Sequence, residues 1–326
     1  MNDLKYRLFA SVSNDLQAVE SALHENLNPF LDIVSKVAEH ILFSGGKRLR
    51  PLLMILCARL CGYSGRYDKT LSTVFEYLHA ATLLHDDIVD GADLRRGKPV
   101  AHAIWGSAAA VLVGDFLLAR CLTIAAETEN PDVVRVIAEI TENMSQGEIH
   151  QLVKKRDLNL SESEYLEVIR RKTAVLIQGA CRIGALIANA PAHRCQALAD
   201  YGLSIGIAFQ MADDLLDYVA DSKDLGKNVG ADLREGKLTL PVIFALKQAD
   251  VPDRAEMKRI LQADSISDKD FESFKDFLHK YKGISYTKEL ANRHVQNAKS
   301  FLSVFEPSET RQLLMEIADY ALARKE

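Results

Sequence analysis

Cysteine is scarce in this chain and follows no pairing rhythm. The five cysteines, Cys57, Cys61, Cys121, Cys181 and Cys195, are scattered through apolar stretches. An odd, dispersed set excludes a disulfide framework and fits buried thiols in a reducing compartment. Cys57 and Cys61 lie one helical turn apart, but no second Cys/His pair completes a zinc set, so they read as core packing. Tryptophan occurs once, and a net charge of −5 leaves no dominant basic stripe, so nucleic acid is not an expected partner. Glycine (17) and proline (8) are few and fall at breaks between periodic segments. There is no series of short alternating segments joined by turn pairs, which excludes a β-sandwich or barrel. Residues 1–14 mix charges and lack an apolar h-region, so no secretory leader is expected. The longest apolar stretch, near residues 108–119, is interrupted by Asp115. It falls short of the ~20 apolar residues of a spanning helix, so a soluble, cytoplasmic protein without a transmembrane segment is expected.

What is present is helical periodicity. The chain has 326 residues, 48% of them hydrophobic, and apolar residues recur at i, i+3, i+4 and i+7 over long spans. Helices are expected over 16–43, 52–60, 69–90, 103–128, 132–153, 162–189, 192–219, 240–248, 253–263, 268–279, 285–305 and 308–324. Asn130-Pro131-Asp132 and Ala190-Pro191 mark helix starts, and Ser161 with Glu164 reads as a capping box. The spans 162–189 and 192–219 are apolar around much of their circumference and are expected to be central. The expected fold is all-α, one domain over 1–326 with roughly ten or more helices. Residues 223–241, rich in Gly and Lys, form a long loop of the kind that often carries function.

Two copies of one acidic pattern dominate this background. Asp86-Asp87-Ile88-Val89-Asp90 and Asp213-Asp214-Leu215-Leu216-Asp217 each place acids at i, i+1 and i+4 in an apolar, helical context. On a helix, i and i+4 share a face, so Asp86 with Asp90, and Asp213 with Asp217, can hold cations together. Bare carboxylates so close repel unless a cation neutralises them. All-oxygen donors suit Mg²⁺, which shares its shell with substrate phosphates. Basic groups answer the acids. Ser44-Gly45-Gly46-Lys47-Arg48-Leu49-Arg50-Pro51 puts two glycines before three cations, a pattern for close approach to phosphate. Arg95 and Arg96 follow the first acidic motif and diverge as adjacent residues, while Lys172, Thr173 and Gln210 interrupt apolar helices. Lys227 and Lys237 lie in the Gly/Lys-rich loop. His79 and His85 stand on the helix of the first motif, with His85 read as structural. Each element alone has a plain structural explanation; the joint pattern points to a diphosphate held by magnesium.

With these motifs in order from Gly45 to Pro241, the chain resembles the trans-isoprenyl diphosphate synthases, most closely the long-chain polyprenyl members such as octaprenyl diphosphate synthases. The carrying segments are GGKRLRP, EYLHAATLLHDDIVDGADLRRGKP, the VGD at 113–115, RRKTA at 170–174, and FQMADDLLDY followed by DLGKNVGADLREGKLTLP. The resemblance implies an isoprenoid synthase-type bundle around a deep central cavity, with the two aspartate-rich helices facing each other, built as a homodimer. It implies roughly three Mg²⁺ with substrate bound, held by Asp86, Asp90, Asp213 and Asp217. It assigns Asp86, Asp87, Asp90, Lys172, Asp213 and Asp214 as catalytic. Arg95, Lys172, Thr173, Gln210, Lys227 and Lys237 would contact the allylic diphosphate, farnesyl or geranylgeranyl. Lys47, Arg50, His79 and Arg96 would bind isopentenyl diphosphate. Asn228 stands where many relatives carry Pro, a change that bears on loop stiffness only. Ala81 and Thr82, one turn before Asp86, would leave room for a growing chain, so a product of roughly 30 to 50 carbons is expected. Within that range octaprenyl diphosphate is the best single match by resemblance, with quinone side chains as the use it implies and a transient membrane contact for product release. Two rivals stay open at this stage. A class I terpene cyclase usually carries a mixed second motif, and a non-catalytic subunit typically loses one acidic motif.

Overall fold

The computed structural model describes residues 2–219 and 230–322. The expected all-α architecture is found: among the described residues the only strands are a two-residue antiparallel pair, Leu94–Arg95 and Lys98–Pro99. The chain forms two compact units. One comprises Met1–Thr141, Leu176–Gly202 and Leu302–Glu316; the other comprises Glu142–Val175, Leu203–Phe301 and Ile317–Glu326.

In the first unit the helix Asp68–Val89 is the hub, packed by the helices Ser13–Leu27, Asp32–Leu42, Leu49–Leu60 and Ser107–Ala126. Leu71, Val74, Phe75, Leu78, Ala81 and Leu84, at three- and four-residue spacing, are all buried on it. Tyr77, also buried, donates its hydroxyl to the Leu23 carbonyl at 2.7 Å. The helix expected over 16–43 is two helices. Asn28 ends the first in the left-handed conformation (φ 37°), and Pro29 cannot continue it. The helix expected over 103–128 is likewise split, into Ala101–Trp105 and Ser107–Ala126. Gly106 (φ 82°, ψ 155°) stands between them in a conformation that only glycine adopts readily. A further helix, Asn2–Ser11, precedes the expected set. All five cysteines are free thiols, and Cys57, Cys121 and Cys181 are buried.

The expectation that no apolar stretch reaches about 20 residues needs correction in its length. Ser107–Ala126 is a single 20-residue helix with mean hydropathy 1.8 over its best window. By length and composition it meets the requirement for crossing a membrane, because Asp115 and Arg120 are too few to break the run.

The second unit packs Tyr165, Met211, Tyr218, Leu240, Val242, Met257, Phe271 and Phe274 into one apolar core. Around it lie Glu162–Ile169, Leu240–Gln248, Val251–Leu261, Asp268–Lys280 and Gly283–Phe301. The capping box forms as read: Ser161 Oγ accepts from the Glu164 amide, and the Glu164 carboxylate accepts from the Ser161 amide. The span 162–189 departs from a plain α-helix at Arg170–Ala174, which is a π-helical turn. Within the expected loop 223–241, Ala231–Glu235 is a short helix between Gly230 and Gly236. Lys227 and Asn228 lie outside the described residues.

Candidate active site

The first acidic motif closes the helix Asp68–Val89, with Asp90 as its C-cap. That end of a helix carries negative dipole charge, so acids there are doubly unfavourable until a cation joins them. The three aspartates differ sharply. Asp90 is exposed and Asp86 half-buried, whereas Asp87 is 2% exposed. Asp87 accepts a forked pair from Arg95: Nε to Oδ1 at 2.9 Å and Nη2 to Oδ1 at 2.6 Å. Arg95 is thus turned down onto the motif. Its neighbour Arg96, in the left-handed turn of the hairpin (φ 52°), donates Nη1 to the Gly45 carbonyl.

Gly45 and Gly46 (φ 108° and 148°) open the basic loop before the helix Leu49–Leu60. Lys47 and Arg50 are half-buried, while Arg48 is 6% exposed. His79, half-buried, sits among Arg50, Arg96, Arg95 and Arg48. Burial first, then these guanidiniums, hold its imidazole well below the ordinary range, so it is neutral at pH 7. The first unit therefore brings Arg50, His79 and Arg96 into one cationic neighbourhood, with Lys47 in the adjoining loop. Behind the motif, His85 lies 3.1 Å from the Val111 carbonyl and 3.7 Å from Asp115 Oδ1. A Cβ at Gly114 would collide with the His85 ring, which explains the glycine of the Val-Gly-Asp segment. Ala81 is wholly buried and Thr82 half-buried, its hydroxyl donated to the His79 carbonyl at 2.9 Å. Ala125 is buried and Ala126 exposed.

In the second unit a cavity of about 140 Å³ gathers Lys172, Thr173, Gln210, Asp213, Asp214 and Lys237. Gln151, Lys155, Tyr165 and Asp232 line it as well. Lys172 and Thr173 sit on the π-helical turn, a device that re-aims side chains and recurs at functional sites. Gly147 lets the neighbouring helix approach that turn: a Cβ there would lie 2.6 Å from the Lys172 amide nitrogen. The Lys172 ammonium meets Glu148 and donates to Gln151 Oε1 at 2.8 Å. Thr173 Oγ1 donates to Gln210 Oε1 (2.8 Å), and Gln210 Nε2 donates to Asp214 Oδ1 (2.8 Å). The Tyr165 hydroxyl donates to Asp214 Oδ2 at 2.6 Å. Asp214 is 4% exposed. Burial, against the hydrogen bonds of Tyr165 and Gln210 and with the charges of Asp213 and Asp217, pushes its carboxyl up to about 7.

Asp217 has partners in the chain that its sequence reading did not include. Its Oδ1 accepts the amides of Gly230 (3.1 Å) and Ala231 (3.0 Å), and its Oδ2 that of Asp232 (3.1 Å). It fastens the start of the helix Ala231–Glu235 to the acidic motif. Among the residues missed in the sequence, Tyr165 is one aromatic in an amphipathic helix and gives no local signal. Asp232, in a Gly- and Lys-rich stretch with Glu235 three residues on, gives no motif of its own, and its amide is bound by Asp217 beside the cavity it lines.

The donor set fits a hard divalent cation. The acids bring oxygen only, with no cysteine or histidine donor in either motif. Among the described residues no three His, Cys, Asp or Glu side chains converge tightly enough to hold an ion unaided.

An all-helical fold with two aspartate motifs, one beside a cationic glycine loop and one in a lysine-lined cavity, defines a prenyltransferase of the isoprenoid-synthase type. The family model described as polyprenyl synthetase matches residues 31–278. The octaprenyl diphosphate synthase of Escherichia coli (strain K12) is 36% identical over 312 residues, 96% of each chain. A polyprenyl synthase from Caulobacter crescentus CB15, solved with calcium and isoprenyl diphosphate, superimposes with a TM-score of 0.93. It is 39% identical, covering 98% of both chains. A decaprenyl diphosphate synthase from Rhodobacter capsulatus gives a TM-score of 0.92 at 39% identity, covering 98% of this chain and 99% of that one. The chain belongs to the polyprenyl synthetase family.

Proposed function

We propose that this prenyltransferase extends an allylic diphosphate, farnesyl or geranylgeranyl, by successive trans additions of isopentenyl diphosphate, giving a long-chain product with octaprenyl as the best match. The observation that carries this reading is the cavity in which Lys172, Thr173, Gln210 and Lys237 meet Asp213 and Asp214. Cations and amide donors beside acids are what a metal-bound diphosphate needs, and an organic carboxylate or sugar would not call for both.

Asp86, Asp90 and Asp213 would hold magnesium; Asp217, already spanned by three amides, would chiefly fix the adjoining segment. Magnesium, when bound, supplies Lewis-acid neutralisation of charge on the departing diphosphate. Lys172, Thr173, Gln210 and Lys237 would bind the allylic diphosphate and stabilise the charge that builds on it as the carbon–oxygen bond breaks. Lys47, Arg50 and Arg96 would bind the diphosphate of isopentenyl diphosphate, and neutral His79 would give it a hydrogen bond without further positive charge. The double bond of isopentenyl diphosphate attacks the allylic cation, and a proton leaves to the released diphosphate. Exclusion of water protects the cation during this step.

Product length would be governed at Thr82 and Ala81, small residues one turn before Asp86. A homodimer is supported by the helix Ser107–Ala126, whose Val111, Leu112 and Leu122 are exposed on one face at 39%, 66% and 48%. The chain would work in the cytoplasm as one catalytic domain and supply quinone side chains. Incubation of the purified chain with Mg²⁺, labelled isopentenyl diphosphate and farnesyl or geranylgeranyl diphosphate tests the proposal. A polyprenyl diphosphate seen by mass spectrometry, lost on chelation, is the expected result. No incorporation with any primer would favour the non-catalytic subunit.

A further inference from the structure

We propose that Arg48 is a positioning residue for the isopentenyl diphosphate site, holding the glycine loop in its binding shape from beneath without touching substrate. This rests on the reading of Lys47, Arg50, His79 and Arg96 given above, and it concerns a residue outside that set.

The three cations of Lys47-Arg48-Leu49-Arg50 do not share a fate. Lys47 and Arg50 are half-buried, while Arg48 is 6% exposed. The Arg48 backbone is left-handed (φ 47°, ψ 33°), a strained region for a residue with a Cβ that persists only when its surroundings enforce it. The enforcement is visible at the other end of the side chain. Nε donates to Glu20 Oε1 at 2.6 Å, Nη1 to Glu76 Oε2 at 3.0 Å, and Nη2 to the Leu42 carbonyl at 2.7 Å. The guanidinium carbon lies 5.7 Å from the Phe43 ring centre. One planar group thus joins three helices: Ser13–Leu27 through Glu20, Asp32–Leu42 through its last carbonyl, and Asp68–Val89 through Glu76.

Each anchor bears on the loop. Glu76 is 6% exposed and stands one turn before His79 on the helix that carries the first acidic motif near its end. Leu42 ends the helix from which the loop departs. A Cβ at Gly46 would lie 3.2 Å from Arg48 Nη1, a tight contact that would press on the arginine fork, and the φ of 148° itself favours glycine. Arg96 also holds this loop, through the Gly45 carbonyl. Lysine cannot replace this fork, because an ammonium is a point charge and cannot span two carboxylates and a carbonyl in one plane. Removing the fork should free the loop and cost affinity where Lys47 and Arg50 act, and not where Lys172 and Lys237 act.

The test compares the full-length wild type with Arg48→Lys and Glu20→Gln in steady-state assays that vary each substrate separately. Arg48→Lys should raise KM for isopentenyl diphosphate about tenfold while KM for the allylic substrate stays within about twofold. Glu20, at 42% side-chain exposure, is the lesser anchor, and Glu20→Gln should raise the same KM about threefold. The double variant should be no worse than Arg48→Lys, because both changes break one network. Should Arg48→Lys fail to fold, Glu20→Gln carries the test alone. An unchanged KM for isopentenyl diphosphate, or a parallel rise in both KM values tracking a lower thermal midpoint, overturns the proposal. A wild type that incorporates no isopentenyl diphosphate would instead overturn the functional reading on which it rests.

Discussion

Replacing Asp87 with Asn separates two jobs that one acidic motif performs. Asp87 is 2% exposed and receives the forked pair from Arg95, whose side chain is 23% exposed. Removing one partner of a buried ion pair typically costs about 3–5 kcal/mol. Asparagine keeps the shape and one oxygen, and water reaches part of Arg95, so the loss here is set at about 2–3 kcal/mol. For a chain of this size that lowers the thermal midpoint by roughly 3–4 °C. Asp86→Asn and Asp90→Asn should behave oppositely. Asp90 is exposed and Asp86 half-buried, and both sit at the negative end of a helix, so removing either charge should change stability by no more than about 0.5 kcal/mol, if anything upward. All three variants should lose most prenyl transfer, and the outer two should do so at full stability. Calorimetry or urea melts beside activity assays read both quantities. The double variant Asp87→Asn with Arg95→Gln should show a coupling of at least about 1 kcal/mol. If Asp87→Asn melts like wild type, or Asp86→Asn melts as early as Asp87→Asn, the division between a structural middle acid and metal-holding outer acids is wrong.

Gly147→Ala should push the π-helical turn at Lys172 away, costing about 1–3 kcal/mol of stability and more than tenfold in kcat; wild-type kinetics would refute the close-approach argument. His79 titrates near 6.5 when unfolded and well below that when folded. The unfolded chain therefore takes up the proton first, and stability present above about pH 6.5 is lost as pH falls below it. His79→Gln should make the acid-side fall of the thermal midpoint shallower, and an unchanged slope would contradict the neutral imidazole. Thr82→Phe should shorten the product with the fold intact, as mass spectrometry of the prenyl chains would record. Ala81→Tyr should shorten it too, at a packing cost of about 1–3 kcal/mol because Ala81 is wholly buried; long products from both would sink the wall account of length.

Much of this was legible in the amino-acid order. The helix Asp68–Val89 lay within one residue of its reading because its apolar residues keep one face without interruption. The capping box at Ser161 is a local device and was read locally. The misses have physical causes. The break after Leu27 rests on a left-handed Asn28, which apolar periodicity does not register. The π-helical turn inserts one residue per turn without altering the hydrophobic pattern enough to be noticed. Partnership was the harder part. Asp87 and Asp214 look like their neighbours in sequence, yet Arg95, Tyr165 and Gln210 bury them, and only three-dimensional packing chooses the middle acid. The three amide contacts of Asp217 were not legible either, because they come from residues more than ten positions ahead.

The hairpin after the first motif has a consequence for what variation this chain tolerates. Arg95 descends to Asp87 and Arg96 reaches across to Gly45 because Arg95 is the last residue of the first strand and Arg96 the first of a two-residue turn, Arg96-Gly97. A single inserted or deleted residue would reverse which arginine points where, swapping a structural clamp for a loop fastener in one stroke. Point changes at Leu94 or Lys98, exposed on the rim, are survivable by comparison. The length of this small turn is therefore under tighter constraint than its composition.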